Sequence, residues 1–142
     1  MMSQSLDVLY VAVATAENGR DGRVATDDGK LDVVVNMPQA MGGSGVGTNP
    51  EQLFAAGYSA CFQGALGLVA RQAGVSITGS LVTARVSIGK THDGGLGLAV
   101  EMQVSLPGVD PAVAGGLVEK AHQVCPYSNA TRGNIDVALS LV

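Results

Sequence analysis

The sequence predicts an α+β fold in which antiparallel strands are interrupted by single helices. Segments with strand-like alternation occur in pairs joined by turn residues, so they do not follow strict strand–helix–strand alternation. Two other segments have helical periodicity and recognisable start signals. Of the 142 residues 46% are apolar, which is enough for one core and leaves little room for a second. We therefore predict a single domain over residues 1–142.

The first part of the chain predicts a strand followed by a hairpin. The predicted strands cover residues 6–15, 23–26 and 31–37. Asn18-Gly19 and Asp28-Gly29 are turn signals, and Pro38 ends the hairpin. Arg20 is therefore expected in the first connection.

A long helix is predicted from Pro50 towards Gly74. Asn49 can cap it, Pro50 suits its first position, and Gln52 stands where a capping box needs it. The helix is apolar on nearly all sides and contains several small residues. These small residues are Gly57, Ala60, Cys61, Gly64 and Gly67. Three interior glycines cost roughly 1 kcal/mol each relative to Ala, which implies that close packing compensates.

The second half predicts another hairpin, a helix and a last strand. The hairpin strands cover residues 80–89 and 96–106, and the last strand covers 135–141. Asp110-Pro111 starts the helix, which ends at Cys125 because Pro126 disfavours helical geometry in the preceding residue. Its predicted buried face consists of Val113, Leu117, Ala121 and Val124.

Composition and charge exclude several classes of function. Twelve acidic residues outnumber eight scattered basic ones, which disfavours a nucleic-acid or anionic-membrane partner. The glycine-rich stretch at residues 42–47 matches no nucleotide-binding pattern. Because the first six residues lack a basic start followed by an apolar segment, we expect a cytoplasmic protein. The apolar stretch at residues 53–70 is interrupted by Ser59 and Gln63, which favours a core helix over a membrane span.

The chain has two cysteines, Cys61 and Cys125, whose default interpretation in a reducing compartment is buried packing. They form no Cys-x-x-Cys motif, so a joint role requires the fold to bring them together. Cys125 lies in the last turn of its predicted helix, where the dipole disfavours a thiolate. Cys61 lies about three turns into its helix, so its activation requires a nearby cation, which lowers a thiol pKa by ~1 to 3 units. The candidate cations are Arg20, Arg23, Lys30, Arg71, Arg85, Lys90, Lys120 and Arg132.

Three segments resemble a known family. Residues 48–62 read TNPEQLFAAGYSACF, residues 122–135 read HQVCPYSNATRGNI, and residues 19–23 read GRDGR. In residue identity, order and spacing these segments are similar to the motifs of the organic hydroperoxide resistance proteins, a branch of the OsmC-type superfamily. The resemblance covers essentially the whole chain.

This resemblance implies an OsmC-like fold in an intertwined homodimer, with antiparallel sheets wrapped around two central helices and active sites at the subunit interface. It implies that Cys61 attacks the peroxide, that Cys125 resolves the product as a disulfide, and that Arg20 and Glu51 are a polar pair ordering the site. The expected substrates are alkyl and fatty-acid hydroperoxides. The expected reductant is dihydrolipoamide on a lipoylated protein, with no bound cofactor or metal. The expected apolar pocket residues are Met41, Leu53, Phe54 and Phe62.

Two functions of other classes remain alternatives. The protein could bind an apolar ligand without catalysis, or it could be a thiol redox sensor acting on a protein partner. His122 with Cys125 and Cys61 would suggest a metal site, but the sequence offers no evident fourth ligand. Tyr127 and Asn129 are interpreted as forming local turn hydrogen bonds.

Overall fold

The computed structural model describes residues 5–142, which form six strands, three α-helices and one short 3₁₀ turn. Contacts divide the chain into two compact units, the first ending at Pro50 and the second spanning Glu51–Val142. Each unit contains a three-stranded sheet. The predicted organisation as one domain stays a prediction.

The first unit contains an antiparallel sheet in the order β1 (Ala14–Glu17), β2 (Gly22–Thr26) and β3 (Asp32–Val35). The turn between β1 and β2 places Asn18 and Gly19 in the left-handed region, with φ of 57° and 54°. These angles suit Asn and Gly and explain the turn signal in the sequence. The predicted hairpin of residues 23–26 and 31–37 is confirmed as the antiparallel pair of β2 and β3.

The first strand is shorter than predicted. It begins at Ala14, and residues 6–13 lie outside the strands. Their apolar side chains are exposed, with Leu9 at 99%. Alternation predicts an extended chain, but a strand also needs a neighbouring edge for its backbone hydrogen bonds, and β1 pairs with β2 only from Ala14. The prediction over residues 6–15 is therefore wrong except at its end.

The second unit contains all of α1 (Pro50–Ala73) except its first residue. Gly74 ends it with φ of 69°. The N–H of Val75 donates to the carbonyl of Ala70 at 2.9 Å, and the N–H of Gly74 donates to that of Arg71 at 3.1 Å. This pair of bonds is a Schellman motif, which satisfies the last carbonyls of the helix. The predicted helix and its glycine end are confirmed.

The second sheet has β5 (Leu96–Ser105) between β4 (Leu81–Lys90) and β6 (Val137–Leu141). The antiparallel pair β4 and β5 confirms the second predicted hairpin, but β6 runs parallel to β5. The expectation of antiparallel pairing is wrong at this position. The chain leaves β5 at one end of the sheet, passes through two helices and enters β6 from the opposite end, and such a crossover gives a parallel pair.

The connection between β5 and β6 contains α2 (Pro111–Val124) and α3 (Pro126–Thr131). Asp110 caps α2 by accepting hydrogen bonds from the N–H groups of Ala112 and Val113 at 3.2 and 3.3 Å. The short helix α3 was not predicted from the sequence.

The buried face of α2 is rotated from the predicted one. Leu117 and Ala121 are buried as predicted, whereas Val113 and Val124 are 43% and 48% exposed. Ala114 and Val118 take the buried positions. The helix faces that start at residues 113 and 114 both carry apolar residues at helical spacing. Periodicity alone therefore cannot distinguish them, and the predicted buried face is wrong in two of its four residues.

The core of the second unit lies between α1, α2 and one face of the sheet. Its largest side chains are Tyr58, Phe62, Leu66, Met102 and Val104, all fully buried. Among the described residues, α1 is long and apolar enough to cross a membrane by length and composition. A core helix meets the same criteria, and we interpret α1 as one because it contributes more of the buried core residues than any other element.

Candidate active site

The two cysteines, 64 positions apart in the sequence, meet in the second unit. The S–H of Cys125 donates to Sγ of Cys61 across 3.5 Å, and both are free thiols. Cys125 is fully buried, whereas Cys61 is only partly buried. A disulfide needs Sγ atoms about 2 Å apart, so a shift of roughly 1.5 Å would bond them. Cys61 is the thiol of the pair that a molecule from solvent can reach.

The position of Cys125 follows from its backbone. With φ of −65° and ψ of 122°, it ends α2 and caps the start of α3, with Pro126 in the first helical position. The sequence prediction placed Cys125 in the last turn of one helix, but the structure places it between two. The next residue of α3, Tyr127, directs its N–H to Sγ of Cys61.

Competing effects act on the thiol of Cys61. Burial raises its pKa, the N–H of Tyr127 lowers it, and the adjacent Cys125 raises it because two thiols this close cannot both ionise. The net direction is upward. Within the second unit, the surroundings of Cys61 therefore favour the thiol, and a reactive thiolate calls for a further positive group.

Arg20 and Glu51 lie in different parts of the chain. Arg20 is partly buried in the turn between β1 and β2, and Glu51 is in the first turn of α1. Glu51 and Cys61 are ten residues apart on this helix. At a rise of about 1.5 Å per residue they are separated by ~15 Å along the axis, which is beyond the reach of a glutamate side chain.

A pocket of about 970 Å³ opens beside Tyr127 and has predominantly apolar walls. Its lining residues include Phe54, Leu96, Leu98, Pro126, Tyr127 and Ile135. Among the predicted pocket residues, Phe54 lines this cavity and Leu53 is partly buried on the same helix. Phe62 is fully buried in the core, and Met41 is exposed in the first unit.

The sequence analysis missed a set of buried hydroxyl groups close to the cysteines. The hydroxyl of Tyr58 makes hydrogen bonds of 2.8 Å to Oγ of Ser128 and 3.1 Å to Oγ1 of Thr131. Ser128 Oγ is also 2.8 Å from Nδ1 of His122. Tyr58 and Ser128 are fully buried. The available signal was Tyr58 itself, because a tyrosine on the apolar face of a core helix needs a partner for its hydroxyl.

Counting protons assigns the tautomer of His122. Thr131 Oγ1 donates to the carbonyl of Ser128 at 3.2 Å. Tyr58 must then donate to Thr131, and Ser128 to Tyr58, since each hydroxyl has one proton. The contact between Ser128 and Nδ1 is satisfied only if Nδ1 carries a proton. Burial, with the charge of Arg132 as a second cause, lowers the pKa of His122, which favours the neutral Nδ1–H tautomer at pH 7.

No group of three or more His, Cys, Asp or Glu suited to a metal ion occurs within residues 5–142.

The remaining polar contacts beside the junction between α2 and α3 are structural. Arg132 donates to the carbonyl of His122 at 2.9 Å and to Oδ1 of Asn129 at 3.1 Å. The first bond connects the end of α3 to the last turn of α2, and the second lies within α3.

Comparison with known proteins identifies the class to which this fold and thiol pair belong. Residues 42–140 match the family model described as OsmC-like protein. The chain therefore belongs to the OsmC-like family. Within the family, its relatives are organic hydroperoxide resistance proteins, which confirms the predicted branch.

Three of these relatives cover nearly the whole chain. An organic hydroperoxide resistance protein of Xanthomonas axonopodis pv. citri is 52% identical, with 99% of each chain covered. The crystal structure of such a protein from Legionella pneumophila has a TM-score of 0.91 at 47% identity, covering 95% of this chain and 98% of that one. OhrB of Bacillus subtilis has a TM-score of 0.88 at 47% identity, with coverages of 95% and 100%. The predicted OsmC-like α+β fold is confirmed.

We predict that His122 makes folding stability depend on pH. Because its pKa is lowered on folding, the unfolded chain binds a proton first as pH falls through about 6.5, and stability is lost below that pH. Asn at this position keeps a donor near Nδ1 but does not titrate. The free energy of unfolding of His122→Asn should therefore fall less than that of the wild type between about pH 7 and about pH 5.

The matched control is His92→Asn, because His92 is exposed in the turn between β4 and β5. This variant should keep the wild-type dependence on pH in the same urea titrations. An identical pH dependence in His122→Asn and the wild type would contradict the assignment.

Proposed function

We propose that this protein is a cysteine-based peroxidase that reduces organic hydroperoxides to alcohols. The names of its relatives support a role in organic hydroperoxide detoxification and in the response to oxidative stress. The cysteine-based mechanism is supported above all by one distance. The sulfur atoms of a partly exposed and a fully buried cysteine are 3.5 Å apart. Two thiols in this arrangement can be oxidised in sequence and end as one disulfide.

In the first step, the thiolate of Cys61 attacks the distal oxygen of the hydroperoxide. The O–O bond breaks, Cys61 becomes a sulfenic acid, and the alkoxide leaves as an alcohol after taking up a proton. In the second step, Cys125 attacks the sulfenic sulfur, a disulfide forms, and water leaves. This step prevents further oxidation of Cys61 to the irreversible sulfinic acid.

An external dithiol must then reduce the disulfide. Following the family resemblance, we propose dihydrolipoamide carried on a lipoylated protein, in the cytoplasm. The apolar pocket next to Tyr127 supports substrates with an alkyl or fatty-acid chain, because it could bury apolar surface close to the N–H that bonds Cys61.

We assign Arg20 and Glu51 the role of the polar pair at the reacting sulfur. A guanidinium group stays protonated at pH 7, stabilises both a thiolate and a departing alkoxide, and can be oriented by a carboxylate. The raised pKa of Cys61 supports the need for such a cation. Because Glu51 and Cys61 are ~15 Å apart along α1, the pair in this proposal acts on Cys61 of a second copy.

Two exposed apolar surfaces support the proposed homodimer. One is the segment at residues 6–13, which lies outside the strands and exposes Leu9 and Tyr10. The other is a stripe along α1, spaced four residues apart, whose members are Ala56, Ala60, Gly64 and Leu68. Small residues at this spacing allow a second helix to approach closely. Burial of both surfaces against a second copy would remove them from water.

The proposed function predicts rapid turnover of tert-butyl hydroperoxide with dihydrolipoamide. Turnover should be slower with hydrogen peroxide, and thioredoxin should not replace the lipoyl reductant. Consumption of peroxide and oxidation of dithiol are measured in the same cuvette. A protein that only binds an apolar ligand would consume neither, and a redox sensor would become oxidised once without sustained turnover.

Two cysteine variants separate the steps of the same reaction. Cys61→Ser should abolish peroxide consumption. Cys125→Ser should be oxidised once, leaving Cys61 as a sulfenic or more highly oxidised acid in a mass spectrum. If the Cys125 variant were inert and the Cys61 variant turned over, the two roles would be reversed.

Removal of the proposed cation should slow the first step. We expect Arg20→Ala to raise the pKa of Cys61 and to slow its oxidation by at least about ten-fold, through loss of a charge-assisted contact. Stopped-flow oxidation over a range of pH measures both quantities. Arg23→Ala is the matched control, since Arg23 is an exposed arginine of β2 whose guanidinium bonds Asp32 at 2.5 and 2.6 Å.

Mixed dimers test whether Arg20 acts across the interface. In a dimer of one Arg20→Ala chain and one Cys61→Ser chain, action across the interface leaves one complete site, so mixing should restore up to half of the wild-type rate. Action within one chain leaves none. Wild-type kinetics in Arg20→Ala itself would exclude Arg20 from the site.

The proposed dimer should depend on the exposed stripe of α1. A Cβ built on Gly64 meets no atom within 4 Å in the chain, so Gly64→Leu fits the monomer, and its higher helix propensity favours α1 by ~1 kcal/mol. Against a second copy the added side chain would clash. Light scattering should give twice the 14.3 kDa chain mass for the wild type and a larger monomer fraction for Gly64→Leu.

Gly116→Leu is the matched control, because Gly116 is an exposed glycine of α2 with equally open surroundings. It should keep the wild-type mass. A dimeric Gly64→Leu protein would contradict packing through this stripe.

A further inference from the structure

The hydroxyl network of Tyr58, Ser128, Thr131 and His122 has no place in the reaction proposed above, yet it joins all three helices. Tyr58 belongs to α1, Ser128 and Thr131 belong to α3, and His122 lies in the last turn of α2. Its hydrogen bonds are 2.8 to 3.1 Å long. Tyr58, Ser128 and Thr131 are buried and His122 is partly buried, so these bonds are directional contacts that apolar packing does not supply.

The network lies one helical turn from each sulfur. Tyr58 precedes Cys61 by three residues on α1, and Ser128 follows Cys125 by three residues. Residues three apart lie on the same face of a helix. The contact between Tyr58 and Ser128 therefore joins the two helix faces that carry the cysteines. Ser128 also directly follows Tyr127, whose N–H bonds Sγ of Cys61.

Hydrogen bonds define positions that hydrophobic contacts leave free. Burial of apolar area is non-directional, so α3 could slide along α1 with little loss of buried surface. A slide of about 1 Å would stretch a hydrogen bond of 2.8 Å well beyond the ordinary range and leave a buried hydroxyl group without a partner. The network thus resists the displacement that would separate the sulfurs.

We infer that Tyr58, Ser128 and His122 are positioning residues that hold Cys125 within reach of Cys61 and set the rate of disulfide closure. The inference deepens the proposed function, because the step concerned is its second one. In that step the thiol of Cys125 attacks the sulfenic sulfur of Cys61, the S–S bond forms, and the sulfenic oxygen leaves as water with the thiol proton.

The test uses a reagent that does not depend on peroxidase activity. The thiolate of Cys61 attacks dithiobis(nitrobenzoate) and releases one coloured nitrothiobenzoate. Cys125 then loses its proton and attacks the mixed disulfide, which closes the protein disulfide and releases a second nitrothiobenzoate. In Tyr58→Phe and in Ser128→Ala we expect the second release to slow by about ten-fold relative to the first, the change that ~1.4 kcal/mol produces.

Two control variants separate positioning from a general loss of stability. Ser80→Ala removes a hydroxyl group that also contacts α1, where it accepts a hydrogen bond from the side chain of Gln63 at 3.1 Å. Ser80 belongs to neither α2 nor α3. It should leave the second release unchanged. Thr131→Ser keeps a hydroxyl for Tyr58 and should retain the wild-type rate. Equal second releases in Tyr58→Phe, Ser128→Ala and wild type, or equal slowing in Ser80→Ala, would overturn the inference.

A parallel experiment with excess tert-butyl hydroperoxide separates this inference from the proposed function. Slow closure should leave a larger share of Cys61 as sulfinic acid in Tyr58→Phe than in the wild type, measured by mass spectrometry. A wild-type protein that closes its disulfide with the aromatic reagent but consumes no hydroperoxide would contradict the proposed function and not the positioning. Normal peroxide consumption with unchanged closure in both variants would contradict only the positioning.

Discussion

The structure depends on the close packing of α1 against the junction between α2 and α3. At this contact the sulfurs of Cys61 and Cys125 are 3.5 Å apart without a covalent bond. A disulfide tolerates only a narrow range of distance and dihedral angle, so the two backbones must be positioned to within about 1 Å. Close packing restricts the arrangements of the core side chains, and hydrogen bonds such as the one between Tyr58 and Ser128 add directional contacts that apolar burial does not provide.

The rest of the second unit supports this contact. The sheet contributes Val100, Met102 and Val104 as a buried surface beneath the helices. The parallel pairing of β6 with β5 requires a connection that crosses the sheet, and this connection contains the junction at Cys125. The extended backbone of Cys125 turns the chain between two helices, so its buried side chain faces α1. Topology and the position of the thiol are thus coupled.

Local sequence signals predicted most of the helices and strands. They could not decide between structures that fit the local pattern equally well. The start of α1 at Pro50, its glycine end and the hairpin of β4 and β5 were predicted because each has a short-range cause. The buried face of α2 was predicted incorrectly because two adjacent faces are equally apolar. Residues 6–13 were predicted as a strand because alternation reports an extended chain and not the presence of a neighbouring edge. The direction of β6 depends on the path of the whole crossover, which no local pattern contains.

For the candidate site too, the sequence revealed some features and only the structure revealed others. The resemblance identified both cysteines, but their proximity came only from the structure. The role of Tyr58 in the hydroxyl network escaped the sequence analysis because its partners lie 70 and 73 residues away. Burial also distinguishes the two thiols. Cys125 is fully buried and is shielded from molecules in solution, so in the proposed reaction access alone makes Cys61 the first to be oxidised.

This arrangement has an electrostatic consequence. The contacts that bring Cys61 close to Cys125 also bury it partly, and burial raises its pKa. In the proposed reaction, the requirement for fast disulfide closure therefore opposes the requirement for a reactive thiolate. The backbone N–H of Tyr127 offsets part of the rise in the pKa of Cys61, and the net shift remains upward. The proposed mechanism therefore needs a cation to activate Cys61 fully, and a protonated guanidinium group is suited to this role because it keeps its charge beside a thiolate at neutral pH. In this proposal, the closer Cys125 lies to Cys61, the more the thiolate of Cys61 depends on that charge.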